Sequence, residues 1–143
     1  MTSQLNVDTI VDKAGSGGTN VKIGNTSTYV SDGGATTQNT VQGLAKHWVN
    51  YNNNGTTNDS LNTASVTDVG TGNHLPAMTN AMANSNYCIS GTLIGSNGNV
   101  GYLDSHQTSG SRGTSSYEVG TNDVNNSDQD HTMNQTTVDG DLA

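Results

Sequence analysis

From Leu44 to Tyr51 the chain alternates with period two. Leu44, Lys46, Trp48 and Asn50 fall on one face of an extended strand, and Ala45, His47, Val49 and Tyr51 fall on the other. Alternation carrying aromatic and β-branched residues is what a half-buried sheet surface needs. Trp48 is the chain's single tryptophan. A large ring can supply a disproportionate share of a small core, so Trp48 is expected at the centre of a β-domain. Tyr87, Ile89 and Leu93 share a face farther along, as do Tyr117 and Val119, and these join the candidate core.

That core is thin. Leu, Ile, Val and Phe together supply 23 of 143 residues, and there is no Phe. Chains this poor in large apolar residues tend to disorder when strongly charged. The net charge of −8 is modest for the length, however, and the apolar residues come in strand-spaced groups. Oligomerisation can bury surface that one copy cannot, so an obligate oligomer is expected. Helix should be minor: the chain has one Glu, and 74 of its residues are Asn, Thr, Ser or Gly, which compete with helical hydrogen bonding or cost backbone entropy.

The four cations, Lys13, Lys22, Lys46 and Arg112, are scattered singly in an acidic chain. This argues against nucleic acid, whose phosphates need clustered basic residues. No run approaches membrane-spanning length, and the N-terminus lacks a basic-then-apolar signal pattern. The expectation is a soluble protein made in a cytoplasm, without membrane insertion. Cys88 is the lone cysteine, which excludes an internal disulfide.

Two regions are distinguished. Residues 1–40 read as an extended attachment arm. Leu5, Val7, Ile10 and Val11 form its first segment, a glycine-rich break follows at 15–18, and a Thr/Gln/Asn connector runs to Thr40. Residues 41–143 read as an antiparallel domain with strands near 44–51, 60–67, 74–79, 86–94, 99–104, 114–120 and 131–138. Turns such as 52–55 and 70–72 are rich in Asn and Gly, which tolerate positive φ. Seven short strands imply an all-β, antiparallel, jelly-roll-like sandwich. Pro76 cannot donate to a ladder, so its strand should be an edge or carry a bulge. The segment 132–138 is so polar that its place as a buried strand is left open.

No catalytic constellation stands out. Ser, His and Asp are abundant but no Gly-x-Ser-x-Gly elbow occurs, and the Gly-x-Gly pairs at 15–17 and 70–72 lack a third glycine. No cofactor or metal site is assigned. Cys88 reads as a small core residue and His47 as an interface or surface residue. The oxygen-rich segment 122–131 suits a hard cation such as Ca²⁺ but lacks the EF-hand pattern and reads as a solvated loop. A surface dense in amides, hydroxyls and tyrosines suits carbohydrate, with Tyr102, Tyr117 and the loops at 52–58 and 105–113 as the candidate glycan contacts.

The ordered set Lys46, Trp48, Val49, Asn50, Tyr51, Gly55, Ser60, Asn62, Thr67, Asp68, Gly70, Thr71, Gly72, Ala81, Met82, Asn86 and Tyr87 resembles a β-domain found in phage and prophage fibre-type virion proteins. The match covers roughly residues 41–94. The opening Leu5-Asn6-Val7-Asp8-Thr9-Ile10 is similar to that of marine phage structural proteins. The resemblance implies a non-enzymatic, homotrimeric virion protein. Most simply it is a short head fibre or decoration protein, docked to a capsid or tail protein through its arm. The alternative it implies is a tail-fibre tip for host attachment, touching host-surface carbohydrate.

Overall fold

The computed structural model describes residues 28–30, 37–40, 43–95, 101–104 and 112–143. The arm residues Leu5, Val7, Ile10 and Val11 lie outside them. The chain divides into two units, Met1–Val41 and Gln42–Ala143. In the first, β1 (Thr28–Val30) pairs antiparallel with β2 (Thr37–Asn39), so part of the expected connector is a strand.

The second unit is built from β3 (Ala45–Asn52), β4 (Thr57–Leu61), β5 (Thr63–Gly70), β6 (Asn73–Met78), β7 (Cys88–Ile94), β8 (Gly101–Asp104), β9 (Val119–Asp123) and β10 (Met133–Asp139). These form two four-stranded antiparallel sheets, ordered β4-β3-β10-β7 and β5-β6-β9-β8. No helix occurs among the described residues. The expected strand at 60–67 is two strands, broken at Asn62. That residue adopts φ 60°, a left-handed conformation that Asn tolerates better than most residues. Its side-chain amide donates to the carbonyls of Lys46 and Asn80, and its oxygen accepts from the Asn80 N–H.

Alternation fixes which side chains can face inward; packing fixes which of the two sets does. In β3 the inward set is His47, Val49 and Tyr51, all buried. On β10 it is Asn134, Thr136 and Val138, and on the opposing sheet Met78 and Val119. Met78, Met82, Tyr87, Tyr117, Val119 and Val138 make the apolar cluster, with Ile89 and Leu103 packed against it in part. Tyr87 is buried, whereas Leu93 is half-buried.

Trp48 is not the centre of this core. It is half-buried and points outward, flanked in register by Leu61 and Thr137. Sheet register flips every side chain with a one-residue change of phase. The buried phase is the one carrying Val49 and Tyr51, because those side chains meet the inward residues of β10. Cys88 is likewise corrected: it is exposed, at the start of an edge strand.

The strand containing Pro76 is interior, not an edge. Pro76 uses its carbonyl to accept from the Tyr117 N–H at 3.2 Å. Carbonyl and N–H of one residue face the same neighbour in an antiparallel ladder, so the missing donor faces residue 117. There the regular β6–β9 ladder, which pairs Asn73 and His74, has already ended. The expected bulge is not in the proline's own strand: both register shifts, one on each side of Pro76, place the extra residue in the partner strand β5. The polar segment near the C-terminal end proves to be the interior strand β10, paired on both edges.

Gly72 locks the β5–β6 turn onto β9. Its φ is +69°, and a Cβ there would lie 2.5 Å from the Thr121 carbonyl oxygen. That close approach lets its own carbonyl accept from the Thr121 N–H at 2.7 Å, while its N–H donates to Asp130 Oδ1 at 2.7 Å.

Replacing Tyr51 by Ala should cost about 3–5 kcal/mol, as for other large buried rings. Trp48→Ala, on the outward face, should cost only about 1–2 kcal/mol of apolar burial. Urea denaturation followed by circular dichroism checks the order. Equal losses would return Trp48 to the core.

Candidate functional site

The interior holds many polar side chains, and several of them are arranged in a chain. Thr63 Oγ1 donates to the Trp48 carbonyl at 3.3 Å and lies 3.0 Å from His47 Nε2. With the threonine proton so used, the imidazole donates from Nε2, which leaves Nδ1 as an acceptor. Tyr117 OH lies 3.2 Å from that Nδ1 and 2.7 Å from Thr136 Oγ1. One line of donors therefore runs from Thr136 through Tyr117, His47 and Thr63 to the Trp48 carbonyl, and joins both sheets. The rings of His47 and Tyr117 also meet edge to face at 5.5 Å.

Burial pushes the His47 pKa down to about 4 and raises that of Tyr117, against a lowering contribution from Thr136. His47 and Tyr117 are both fully buried. A histidine held neutral between two hydroxyl groups resembles a catalytic set only in composition; no substrate reaches it. The expectation of His47 at a surface is corrected, and so is Tyr117 as a glycan contact. Both follow from local geometry: the inward phase of β3 buries His47, and the Tyr117 N–H, donating to the Pro76 carbonyl, holds residue 117 against β6.

The other candidates are surface features. Tyr102 is 41% exposed and donates its hydroxyl to Asn126 Oδ1. In the acidic loop, Asp123 Oδ1 accepts from the N–H groups of Ser127 and Asn125 at 2.9 and 2.8 Å. The Ser127 bond is the leading cause of its lowered pKa. With Asp130 turned to Gly72, these oxygens hold backbone rather than converge. Among the described residues no group of three or more His, Cys, Asp or Glu is placed to hold a metal ion.

A recess of about 290 Å³ opens between edge strands β7 and β8, where Asp104, Arg112 and Glu118 meet Ile89 and Leu103. Arg112 is committed structurally. Its Nη1 donates to the Tyr87 carbonyl at 3.1 Å, and the guanidinium sits 5.4 Å from the Tyr87 ring centre.

The outward face of the β4-β3-β10-β7 sheet is different in kind. Across the four strands run Leu61, Trp48, Thr137 and Ser90, then Asp59, Asn50, Gln135 and Thr92. Over β3 and β10 it holds a recess of about 270 Å³ lined by Trp48, Val49, Asn50, Gln135, Thr136 and Thr137. Asn50 Nδ2 and Gln135 Nε2 both donate to the Met133 sulfur at 3.5 Å. Sequence reading reached Trp48 and Asn50 as members of one strand face. It missed Gln135 and Thr137, because the pairing that brings them there spans more than eighty residues.

Compared with known proteins, the chain matches no family model, no curated protein and no solved structure.

The His47 environment sets a pH dependence. The native state keeps the imidazole neutral to about pH 4, whereas the unfolded chain takes up the proton near 6.5. The unfolded state thus binds more protons between these values, and stability falls as pH drops from about 6.5 toward 4. Melting temperatures of the wild type and His47→Gln, measured from pH 7 to 5, should show a shallower slope in the variant. Tyr117→Phe leaves Nδ1 of His47 without its donor and should cost about 1–3 kcal/mol, read by urea denaturation at pH 7.

Proposed function

We propose that this chain is a non-enzymatic structural protein of a phage virion, made in the bacterial cytoplasm and carried on the particle as a short head fibre or decoration protein. In this reading residues 1–40 dock to a capsid or tail protein and the β-domain projects outward as part of a homotrimer. In the same reading the two four-stranded antiparallel sheets pack as a jelly-roll-like sandwich. The observation that carries the proposal is the ordered set of residues from Lys46 to Tyr87. Several of them serve structural ends: Asn62 braces the β4–β5 break, Gly72 fits a position closed to a side chain, and Met82 and Tyr87 are buried in the apolar cluster. A set of that kind marks a shared fold better than a shared active site.

The thinness of the core supports an oligomer, and the number three rests on the family resemblance alone. Among the described residues, eight apolar side chains count as buried, and a cluster of this size leaves a small domain marginal on its own. Closed symmetric oligomers are the usual remedy. The tail-fibre tip reading loses Tyr117, which is internal, and keeps Tyr102 at the surface.

Sedimentation of the purified chain should give a mass three times the 14.7 kDa of one copy. Particles assembled with a chain lacking residues 1–34 should not incorporate it, although its circular dichroism remains that of a β-domain. A folded monomer in dilute solution would refute the trimer. Normal incorporation of the shortened chain would refute the docking arm.

A further inference from the structure

We infer that the outward face of the β4-β3-β10-β7 sheet binds a neutral oligosaccharide, one sugar ring of which seats in the recess beside Trp48. This moves the carbohydrate contact expected from the sequence off Tyr117 and the loops and onto a sheet face, and it does not depend on the virion reading.

Three observations on one face lead there. The first is the indole itself, half-buried and lining a recess rather than filling the core. The negative face of an aromatic ring attracts weakly positive C–H edges, and a pyranose presents a row of such C–H bonds on one side. The second is the state of the neighbouring amides. Asn50 and Gln135 both direct side-chain N–H groups at the Met133 thioether, a weak acceptor. A sugar hydroxyl or ring oxygen over the recess is a better acceptor for both donors. Thr137, on the other side of Trp48 in register, adds a hydroxyl that gives or takes a hydrogen bond.

The third is charge. The chain carries a net charge of −8, yet every residue lining the recess is uncharged, and Asp59, beside Asn50 in register, lies outside the lining. An anionic ligand would meet the repulsion of the whole molecule and a cationic one would find no carboxylate in the recess. A neutral polyhydroxylated ligand meets neither obstacle. The β7–β8 recess lacks this combination, because its polar lining is ionic and its arginine is already engaged.

The single tryptophan is the reporter. Titration of the full chain with maltoheptaose, cellohexaose and chitohexaose, together with an array of neutral glycans, should give saturable binding to at least one sugar, accompanied by a change in Trp48 emission. Asn50→Ala and Gln135→Ala should each weaken that binding at least tenfold while leaving the circular dichroism melting curve in place. Absence of binding to all of them, or binding that survives both substitutions, would overturn the inference. Emission that follows protein concentration and ignores sugar would overturn it too, by assigning the face to a second copy. The sedimentation mass is measured separately, so the sugar site and the trimer can fail independently.

Discussion

The line of hydrogen bonds from Thr136 through Tyr117 and His47 to Thr63 is the interaction on which the rest of the domain turns. A core with so few large apolar side chains has to admit polar ones, and each one admitted must find a partner or cost stability. His47 satisfies both ring nitrogens with hydroxyls from separate segments, Thr63 of β5 and Tyr117 just before β9, and so couples β3 to β5 and, through Tyr117, to β10. The two sheets are thereby held by directional bonds as well as by contact among Met78, Tyr87, Val119 and Val138. Toward the opposite end of the interior, Tyr51 packs against His74 at 5.0 Å between ring centres. The inside of this protein is as much a polar assembly as a hydrophobic one.

That balance explains how much could be read from the sequence. Period-two alternation located β3, β6, β7, β8 and β10 to within a few residues, and the Asn- and Gly-rich turns located their ends. Alternation is silent about phase, because inward and outward sets are equally regular. The largest ring was the natural guess for the inside, yet the phase holding Val49 and Tyr51 is the one that meets β10. The polarity of β10 obscured it for the same reason: Asn134 and Thr136 are buried and do not look like interior residues until their neighbours are known. The split at Asn62 was hidden because a left-handed residue between two strands reads locally as strand throughout.

The surface was less legible than the fold. Trp48 could be singled out by type, but its companions Gln135 and Thr137 become neighbours only through pairing with a distant strand. Tyr102 and Tyr117 looked alike as polar aromatics fifteen residues apart; one is on the surface and the other is sealed inside. Several residues between Lys46 and Tyr87 hold turns or close packing, Asn62, Gly72, Met82 and Tyr87 among them, so they serve the fold rather than a ligand.

Strand β10 follows every other strand in sequence and lies between β3 and β7. While a nascent chain leaves the ribosome, β3 has β4 at one edge and an open row of amides and carbonyls at the other, and β7 has no partner in its own sheet. The contacts that close this sheet link β10 to β3 across eighty or more positions and to β7 across 39 to 51, which implies a high contact order and slow completion. In the interval the unpaired edges can join those of neighbouring copies, so crowding during synthesis favours assembly and aggregation alike.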